Sequence, residues 1–399
     1  MSPLPEPAHV IADDTEALKV AAALAEEFRT GAAERDARRR LPRAELDRLS
    51  ASGLLGITVP AGHGGADVAA VTLAEVFRLL AAADASLAQI PQSHFVYINV
   101  LRRQGTRAQR EFFFGEVLAG KRFGNAQSEA GTRHVQDIRT RLDPGAAGSY
   151  TLTGVKHYST GALFADWIPV LARGENDDLQ VAYVPRDAPG LTVVDDWDGM
   201  GQRTTASGTV RLTAVPVPAD RVVPHHLTFR GPQLHGAVAQ LLHAAIDAGI
   251  ASGALAEAVT FVRTKSRPWF ESGVDTAAED PLLIQRFGEL ALQVRGAEAL
   301  LAAAARAVDA ARARLDDETA AEASIAVAAA KVAAADAAVE TGSSLFEVSG
   351  TRSALDTLGL HRHWRDARTH TLHDPARWKI QHIGRYVLSG TKPPRHGLL

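Results

Sequence analysis

The chain has 399 residues, of which 46% are hydrophobic and 22% charged, a balance typical of globular proteins with two or three domains. Lysine and arginine number 43 against 46 aspartates and glutamates, so the net charge of −3 provides no basic surface for nucleic acid. The absence of cysteine excludes disulfides, thiolate metal sites and a cysteine nucleophile. Residues 1–10 lack the apolar core of a signal peptide, and no run of about 18 uncharged apolar residues predicts a membrane helix. We therefore expect a cytoplasmic protein with no membrane partner.

Residues 14–120 are predicted to be helical, because Ala, Leu, Glu and Arg dominate and apolar residues recur at intervals of three and four. The acidic start at residues 13–16 suits a helix N-terminus, where carboxylates meet the positive end of the helix dipole. Pro60 and the glycines within residues 62–65 divide this stretch into separate helices. We expect an N-terminal helical domain over residues 1–122.

The next stretch changes to short alternating segments, at residues 150–155, 181–184 and 209–212, with Pro, Gly and Asp between them. Short strands separated by turn signals predict a small antiparallel sandwich or barrel. We place this central β domain at residues 123–232.

From Leu234 onward the sequence is helical again, and residues 297–340 are crowded with alanine, the best helix former. Small side chains let helices pack closely, so we predict a four-helix bundle over residues 233–399. We also expect part of its apolar surface to be used in oligomer contacts. Helices, a β domain and then a helical bundle make the fold class α+β and multidomain.

The most unusual local composition lies in residues 361–382, where four of the 15 histidines fall within thirteen positions. Imidazoles are the side chains most easily tuned near neutral pH. One interpretation is structural, because Asp374 and Pro375 suit the N-cap and first position of a terminal helix. Another is a metal site of His370, His373 and Asp374. Three ligands within five residues disfavour facial coordination, so we predict no metal.

Two polar segments have a composition that suits a flavin ring. Residues 123–132 read Phe-Gly-Asn-Ala-Gln-Ser-Glu-Ala-Gly-Thr, and residues 158–162 read Tyr-Ser-Thr-Gly-Ala. Hydroxyl and amide groups beside glycines let the backbone approach a flat polar ligand closely, although β-turns use the same residues. Residues 263–270 form the basic end of a long helix, which is either a solvated C-terminus or a phosphate clamp.

Together these segments resemble the acyl-CoA dehydrogenase superfamily over nearly the whole chain. Residues 52–60, Ser-Gly-Leu-Leu-Gly-Ile-Thr-Val-Pro, and residues 365–368, Arg-Asp-Ala-Arg, are similar to its N- and C-terminal signatures. Residues 363–375, His-Trp-Arg-Asp-Ala-Arg-Thr-His-Thr-Leu-His-Asp-Pro, resemble more closely the flavin monooxygenases of organosulfur metabolism. These include the dibenzothiophene monooxygenases and the sulfur-acquisition oxidoreductases. Residues 158–162 and 201–209, the latter Gly-Gln-Arg-Thr-Thr-Ala-Ser-Gly-Thr, also resemble them.

The sequence departs from the dehydrogenases where they carry their catalytic base. After Arg-Asp-Ala-Arg a typical dehydrogenase reads Ile-Tyr-Glu-Gly-Thr, whereas residues 372–376 read Leu-His-Asp-Pro-Ala. As an N-cap, Asp374 would have its oxygens occupied by backbone N–H groups, which makes it a poor base for α-proton abstraction. Residues 346–352 replace the glycine-rich stretch that lies against the adenosine of FAD, so the resemblance favours FMN.

The resemblance implies a two-component system. An NAD(P)H-dependent flavin reductase would supply FMNH2, O2 would add as co-substrate to give a flavin hydroperoxide, and oxygen would pass to a small apolar organosulfur compound. His370 and His373 would flank the flavin's reactive edge, hydrogen-bond the peroxide and hold its proton. The resemblance also implies a homotetramer, a dimer of dimers, in which Arg267 would reach the flavin phosphate of a neighbouring subunit. The implied catalytic residues are His370, His373, Ser159, Asn125 and His94, the last on the substrate side. The implied cofactor-binding residues are Asn125, Ser128, Thr132, Ser159, Trp197, Arg267, Arg368 and His373.

Two other interpretations stay open. An FAD-dependent acyl-CoA dehydrogenase would use Asp374 as its base, and a flavin-binding homologue without turnover would need neither histidine. The substrate is equally open, since related scaffolds hydroxylate amines and phenols. Four aromatic residues either line an apolar pocket or belong to the core: Phe95, Tyr97, Phe164 and Trp167.

Overall fold

The computed structural model describes residues 7–399, so the first six residues of the predicted N-terminal domain lie outside it. The N-terminal domain is helical, as predicted. Its first helix begins where the Asp13 side chain accepts the Glu16 backbone N–H at 2.9 Å. The helices are α1 (Asp14–Arg29), α2 (Ala32–Arg38), α3 (Arg43–Ala51), α4 (Ala70–Ala83), α5 (Ala85–Gln89), α6 (Gln92–Gln104) and α7 (Arg107–Leu118).

The middle domain is one mixed sheet with the strand order β5-β6-β2-β1-β3-β4-β7. Its strands are β1 (Arg141–Pro144), β2 (Tyr150–Lys156), β3 (Trp167–Arg173), β4 (Leu179–Pro185), β5 (Leu191–Val194), β6 (Thr209–Val217) and β7 (Val222–Val223). Neighbouring strands are antiparallel except β1 and β3, which pair in parallel. The expected sheet domain is confirmed, but it is not purely antiparallel, because the chain crosses over after β2 instead of returning by a hairpin.

The C-terminal domain is the predicted helical bundle. Its helices are α8 (His235–Thr264), α9 (Pro281–Ala313), α10 (Asp317–Ser349), α11 (His361–His370) and α12 (Ala376–Ser389). The alanine-rich helix α10 packs against all four others. Side chains as small as alanine let it approach several helices at once.

Helix α8 is the central helix of the molecule. By length and composition alone it is long and apolar enough to cross a membrane, but 67% of its most apolar stretch is buried, as in the core helix of a globular protein. Two glycines bring it directly onto α4. A Cβ atom would lie 2.4 Å from the Arg78 carbonyl oxygen at Gly249, and 2.5 Å from that of Ala82 at Gly253. Alanine at either position would therefore push the two helices apart.

The Arg-Asp-Ala-Arg segment lies in α11 and joins the three domains. Arg365 forms an ion pair with Asp36 on α2 and donates to the Met200 carbonyl oxygen at 2.6 Å. The buried Asp366 accepts the Gln202 backbone N–H at 2.6 Å. Burial, aided by the charge of Asp36, raises the pKa of Asp366 to about 7. These contacts set the direction of α11 and so the position of the residues that follow it.

Candidate active site

His370 is the last residue of α11, and His373 lies in the short turn between α11 and α12. The turn faces the first half of α8 and the end of α5, so three segments that are distant in sequence meet there. Helix α5 contributes Gln89, and α8 contributes His243 and Asp247. The two histidines singled out from the sequence are thus brought together with three polar residues that were not.

The fully buried ring of His370 is in contact on both sides. Its Nδ1 lies 2.6 Å from Asp247 Oδ1. Its Nε2 lies 3.1 Å from His243 Nδ1 and 3.1 Å from Gln89 Oε1. His373 is an exposed residue, and its Nδ1 lies 2.6 Å from the His370 carbonyl oxygen and its Nε2 3.2 Å from Gln89 Nε2. One glutamine amide therefore bridges the two histidines.

Two of the three rings are held in their neutral form. Burial places the pKa of His243 well below its ordinary value, and the charge of Lys331 adds to this. Desolvation by the surrounding protein also lowers the pKa of His373, and the neighbouring His370 acts in the same direction. At pH 7 both rings can therefore donate one hydrogen bond and accept another.

The ring nitrogens of His243, His370 and His373 lie within 4.8 Å of one another, a spacing that a small cation can bridge. Nitrogens of these rings, however, already face protein partners at hydrogen-bond distance. The cluster is accounted for without an ion, and the absence of a metal stays a prediction.

Asp374 does not cap α12, contrary to the sequence-based interpretation. The N-cap is Pro375, which makes no side-chain hydrogen bond. The buried carboxylate instead lies 2.8 Å from Lys331 Nζ and 2.7 Å from Lys379 Nζ, at angles unsuited to hydrogen bonds, so charge holds the group together. Burial by itself raises the pKa of Asp374, but the two ammonium groups outweigh burial and lower it. Asp374 is a weak base because of two lysines and not because of backbone N–H groups.

The middle domain forms a second wall of the site, next to α5. A Cβ on Gly161, whose φ is +75°, would lie 3.2 Å from the carbonyl oxygen of Ile90, the residue after Gln89. Two residues earlier, Ser159 is fully buried, and its hydroxyl has no hydrogen-bond partner among residues 7–399. A buried hydroxyl without a partner costs free energy. Its presence beside the histidine site is explained if a ligand accepts or donates that bond.

Asn125 belongs to the same wall. Its amide oxygen accepts the Tyr97 hydroxyl at 3.2 Å, and its amide nitrogen lies 3.5 Å from the Tyr158 carbonyl oxygen. Ser128 and Thr132 follow on the same loop with local contacts, the Ser128 carbonyl oxygen to a backbone N–H and the Thr132 hydroxyl to a backbone carbonyl. The backbone contact of Ser128 with His157 fixes the loop at the end of β2.

Trp197 stands beside this wall. Its indole N–H donates to the Gln202 carbonyl oxygen at 2.9 Å, and its ring meets the exposed ring of Tyr158 edge-on, with 6.3 Å between centroids. Tyr158 has a positive φ of 55°, which turns the chain sharply just before the buried Ser159. The indole is therefore anchored by the backbone next to the wall.

A buried ion pair supports the polar loop from below. Lys156 Nζ, which is fully buried, lies 2.7 Å from Glu129 Oε1 and donates to the Gln127 carbonyl oxygen at 3.1 Å. Burial lowers the pKa of Lys156 to about 8, against the opposing effect of Glu129. Glu129 also accepts the backbone N–H of Thr140 at 3.0 Å. The pair fastens the loop that carries Asn125 to β2.

The predicted arginines lie in different places. Arg368 is half-buried on α11, and its guanidinium makes no hydrogen bond or ion pair with any described residue. Arg267 is exposed beyond the end of α8. From Asp247 to the end of α8 at Thr264, the helix spans roughly 25 Å at 1.5 Å per residue. Arg267 therefore lies outside the histidine site of its own chain.

His94 lies in the core next to the site and does not join the other histidines. Its Nδ1 accepts the Phe123 backbone N–H at 3.0 Å, and its Nε2 donates to the Leu55 carbonyl oxygen at 3.0 Å. Burial lowers the pKa of His94 to about 4. The ring lines a small cleft together with Ile90, Arg122 and Phe164.

Sequence reasoning missed Gln89, His243 and Asp247, and with them the two lysines around Asp374. His243 and Asp247 are four residues apart on one helix, which places them on one face, but the apolar sequence around them resembles a core helix. Lys331 carries the one charge between Glu322 and Asp336, a sign of a paired buried charge. Gln89 has no local signal.

Three family models describing the N-terminal, middle and C-terminal domains of acyl-CoA dehydrogenases match the chain at residues 14–121, 123–215 and 241–378.

Relatives with known names match nearly the whole chain. The dibenzothiophene monooxygenase of Rhodococcus erythropolis is 35% identical, with 98% of both chains covered. A protein of Pseudomonas putida named probable FMNH2-dependent monooxygenase SfnC is 33% identical, with 94% of this chain and 96% of the relative covered. The crystal structure of FMN-bound TdsC from Paenibacillus sp. A11-2 matches with a TM-score of 0.91 at 34% identity, over 96% of this chain and 100% of that chain.

Proposed function

This chain belongs to the acyl-CoA dehydrogenase family, and we propose that within it the protein is a monooxygenase that uses reduced FMN and O2 to oxygenate a small organosulfur compound. The relatives that match at 33% and 35% identity are named as monooxygenases, one FMNH2-dependent and one acting on dibenzothiophene. One observation carries the proposal. The turn after Arg-Asp-Ala-Arg, where a dehydrogenase has its base, holds the pair His370 and His373, bridged by Gln89.

The same turn argues against the dehydrogenase alternative. Abstraction of a proton beside a thioester needs a carboxylate that is free to face the substrate. Asp374 is 7% exposed and lies between two ammonium groups, which lower its pKa. A carboxylate in this position is occupied by charge pairing, so we assign it a structural role.

The described residues fit FMN on two counts. The buried hydroxyl of Ser159 has no protein partner, and the guanidinium of Arg368 is unpaired. Ser159 and Asn125 would meet the polar edge of the ring, and Arg368 would meet an anionic group of the cofactor. When bound, reduced FMN supplies the electrons that activate dioxygen. Three further residues would complete the flavin wall: Ser128, Thr132 and Trp197.

The two histidines would bind and orient the oxygen-bearing group and hold its proton. His373 is an exposed residue, while the neighbouring His370 is fully buried. A neutral imidazole at pH 7 accepts or donates a hydrogen bond without a large energetic penalty. Closure of the site against water would reserve the activated oxygen for the substrate.

The cleft beside His94 supports a small apolar substrate. Its lining includes the apolar side chains of Ile90, Phe123 and Phe164, which suit a compact sulfur compound. Phe95 and Tyr97 are buried in the core behind it, with exposures of 4% and 3%. Of the predicted aromatic residues, Phe164 is thus the one best placed for substrate contact.

We propose that the chain assembles as a homotetramer, a dimer of dimers. Large apolar side chains stand exposed next to Arg267, with Trp269 62% and Phe270 80% exposed, and at the end of α12 Leu388 is 90% exposed. Contacts with further copies would cover these side chains and bring Arg267 to the FMN phosphate of a neighbour. An NAD(P)H-dependent flavin reductase would supply FMNH2 in transient encounters, and we propose that both proteins are cytoplasmic.

The proposal is tested with the purified chain, a flavin reductase, NADH and FMN under ¹⁸O2. We expect one ¹⁸O atom in the product of dimethyl sulfone, an alkyl sulfide or dibenzothiophene, detected by mass spectrometry and dependent on the chain. Oxygenation of amines or phenols alone would overturn the sulfur assignment. Tightly bound FAD that bleaches with an acyl-CoA under anaerobic conditions would overturn the monooxygenase and favour Asp374 as a base. No oxygenation at all, with FMN bound, would favour a homologue without turnover.

A further inference from the structure

We infer that Gln89 and Asp247 are positioning residues that give His370 and His373 opposite protonation, so that one ring carries two protons and the other carries one. The pair then presents an acid and a base side by side at the same pH. The inference rests on the proposed function only for its use in oxygen transfer. The protonation pattern itself follows from hydrogen-bond geometry.

The Nδ1 atoms of both rings carry a proton. His373 Nδ1 lies 2.6 Å from the His370 carbonyl oxygen, which can only accept, so this nitrogen carries a proton. His370 Nδ1 lies 2.6 Å from a carboxylate oxygen of Asp247, which also accepts, so this nitrogen carries a proton too. If both rings were neutral, neither Nε2 atom would carry a proton, and each could only accept a hydrogen bond.

The Gln89 amide bridges those two Nε2 atoms, with its oxygen 3.1 Å from His370 and its nitrogen 3.2 Å from His373. An amide has one end that accepts and one end that donates. It can satisfy a lone pair at one ring only, and its oxygen needs an N–H from the other. With the amide oxygen toward His370, as in this structure, that oxygen accepts the Nε2–H of His370 and the amide nitrogen donates to the Nε2 of His373.

The surroundings place the additional proton on His370. Asp247 lies against this ring, and both are fully buried, so its negative charge compensates the imidazolium at close range. Desolvation and the neighbouring His370 lower the pKa of His373, which keeps that ring neutral. The charged groups that face the pair come from four elements: Asp247 on α8, Lys331 on α10, Lys379 on α12 and Asp374 in the turn.

His243 fits the same pattern. Burial places its pKa well below the ordinary value, so the ring is neutral and its Nδ1 can accept the Nε2–H of His370 at 3.1 Å. His370 Nε2–H thus has two acceptors within the protein, Gln89 and His243. The acid, the Nε2–H of His370, belongs to a fully buried ring, and the base is the neighbouring Nε2 of His373, which receives the Gln89 amide N–H.

The test is ¹⁵N magic-angle-spinning NMR of the full-length protein labelled at histidine, at pH 8, with and without FMN. We expect one doubly protonated ring from this cluster in the wild type. That signal should be lost in His370→Gln and in Asp247→Asn, and retained in His373→Gln. In Gln89→Glu both ends of the bridge accept, so a second doubly protonated ring should appear, whereas the matched control Gln89→Leu should not add one.

The pH profile of kcat distinguishes a positioning role of Asp247 from a merely structural one. In Asp247→Asn the alkaline limb of the pH profile of kcat should shift down by at least one unit, and Asp247→Glu should restore it in part. Two neutral rings in the wild type at pH 8, or a doubly protonated ring that survives in Asp247→Asn, would overturn the inference. Because the NMR signals need no turnover, failure of the oxygenation assay would leave this result readable and would count against the proposed function alone.

Discussion

Replacement of Asp374 by asparagine should destabilise the fold strongly and leave the chemistry of each folded molecule in place. In the wild type one buried carboxylate lies 2.8 Å from Lys331 Nζ and 2.7 Å from Lys379 Nζ. Asparagine keeps the shape and removes the charge. Two buried ammonium groups are then left beside each other without a counter-ion.

The expected loss of unfolding free energy in Asp374→Asn follows from the two lysines that lose their counter-ion. Removal of one partner of a buried ion pair costs about 3–5 kcal/mol, and here two charges lose their partner, so we expect a loss near 5 kcal/mol. The matched control is Lys331→Met, which leaves the pair of Asp374 and Lys379 and should cost about half as much or less. The double variant Asp374→Asn/Lys331→Met should recover part of the loss, because the like-charge repulsion is gone. Urea unfolding at pH 7 measures all three, and the double-mutant cycle isolates the coupling.

The pH dependence has a defined sign. The folded-state pKa of Asp374 is lowered, so the carboxylate contributes stability that is fully present above about pH 4, the unfolded value, and is lost as the pH falls through the folded value. The difference between wild type and Asp374→Asn should therefore shrink in acid. A loss below about 1 kcal/mol at pH 7 would refute the charge argument. Loss of oxygenation by Asp374→Asn protein that is shown to be folded would return Asp374 to a catalytic role.

Three further predictions concern the cofactor site. His373→Gln should lower oxygenated product about 10²-fold, with more hydrogen peroxide per FMNH2 consumed, and an unchanged ratio of product to peroxide would contradict its role. Lys156→Met, which breaks a buried pair with Glu129, should cost about 3–5 kcal/mol and weaken FMN binding, whereas Lys121→Met at the partly exposed pair with Asp166 should cost about 1 kcal/mol or less. Arg267→Ala should weaken FMN binding to the proposed tetramer, measured by fluorescence titration, with no change in unfolding, and equal affinity would remove Arg267 from the phosphate site.

The fold was predictable because its signals are local. Helical periodicity, alternation at residues 150–155, 181–184 and 209–212, and the alanine-rich helix each depend on neighbours in the chain. The parallel pairing of β1 with β3 was not predictable from the sequence, because it depends on a crossover that has no sequence signature of its own. Asp374 shows the limit more sharply. The Asp-Pro pair is a good cap by local rules, but two distant lysines bind the carboxylate first.

The sequence predicted the two histidines of the candidate site but not the residues that contact them. His370 and His373 stand out by composition, but their protonation is set by Asp247 and Gln89, which lie 123 and 284 residues away from them, respectively. Such partners are selected by packing, and an apolar helix such as α8 gives no sign of which of its polar residues will face a site. A single sequence therefore identified the two histidines of the candidate site and not the residues that contact them.

The charges around the turn explain why the histidines and the lysines belong together. Lys331 and Lys379 face one carboxylate, Asp374, which leaves one positive charge, while the imidazolium of His370 is cancelled by Asp247. The site as a whole carries one net positive charge beside the neutral ring of His373. That charge disfavours a second imidazolium, so His373 stays a base, and it favours an anionic ligand at the same edge. A dehydrogenase needs the opposite arrangement, with an unpaired negative charge facing the substrate. In this chain the absence of a free base at the turn follows from the two lysines that hold Asp374.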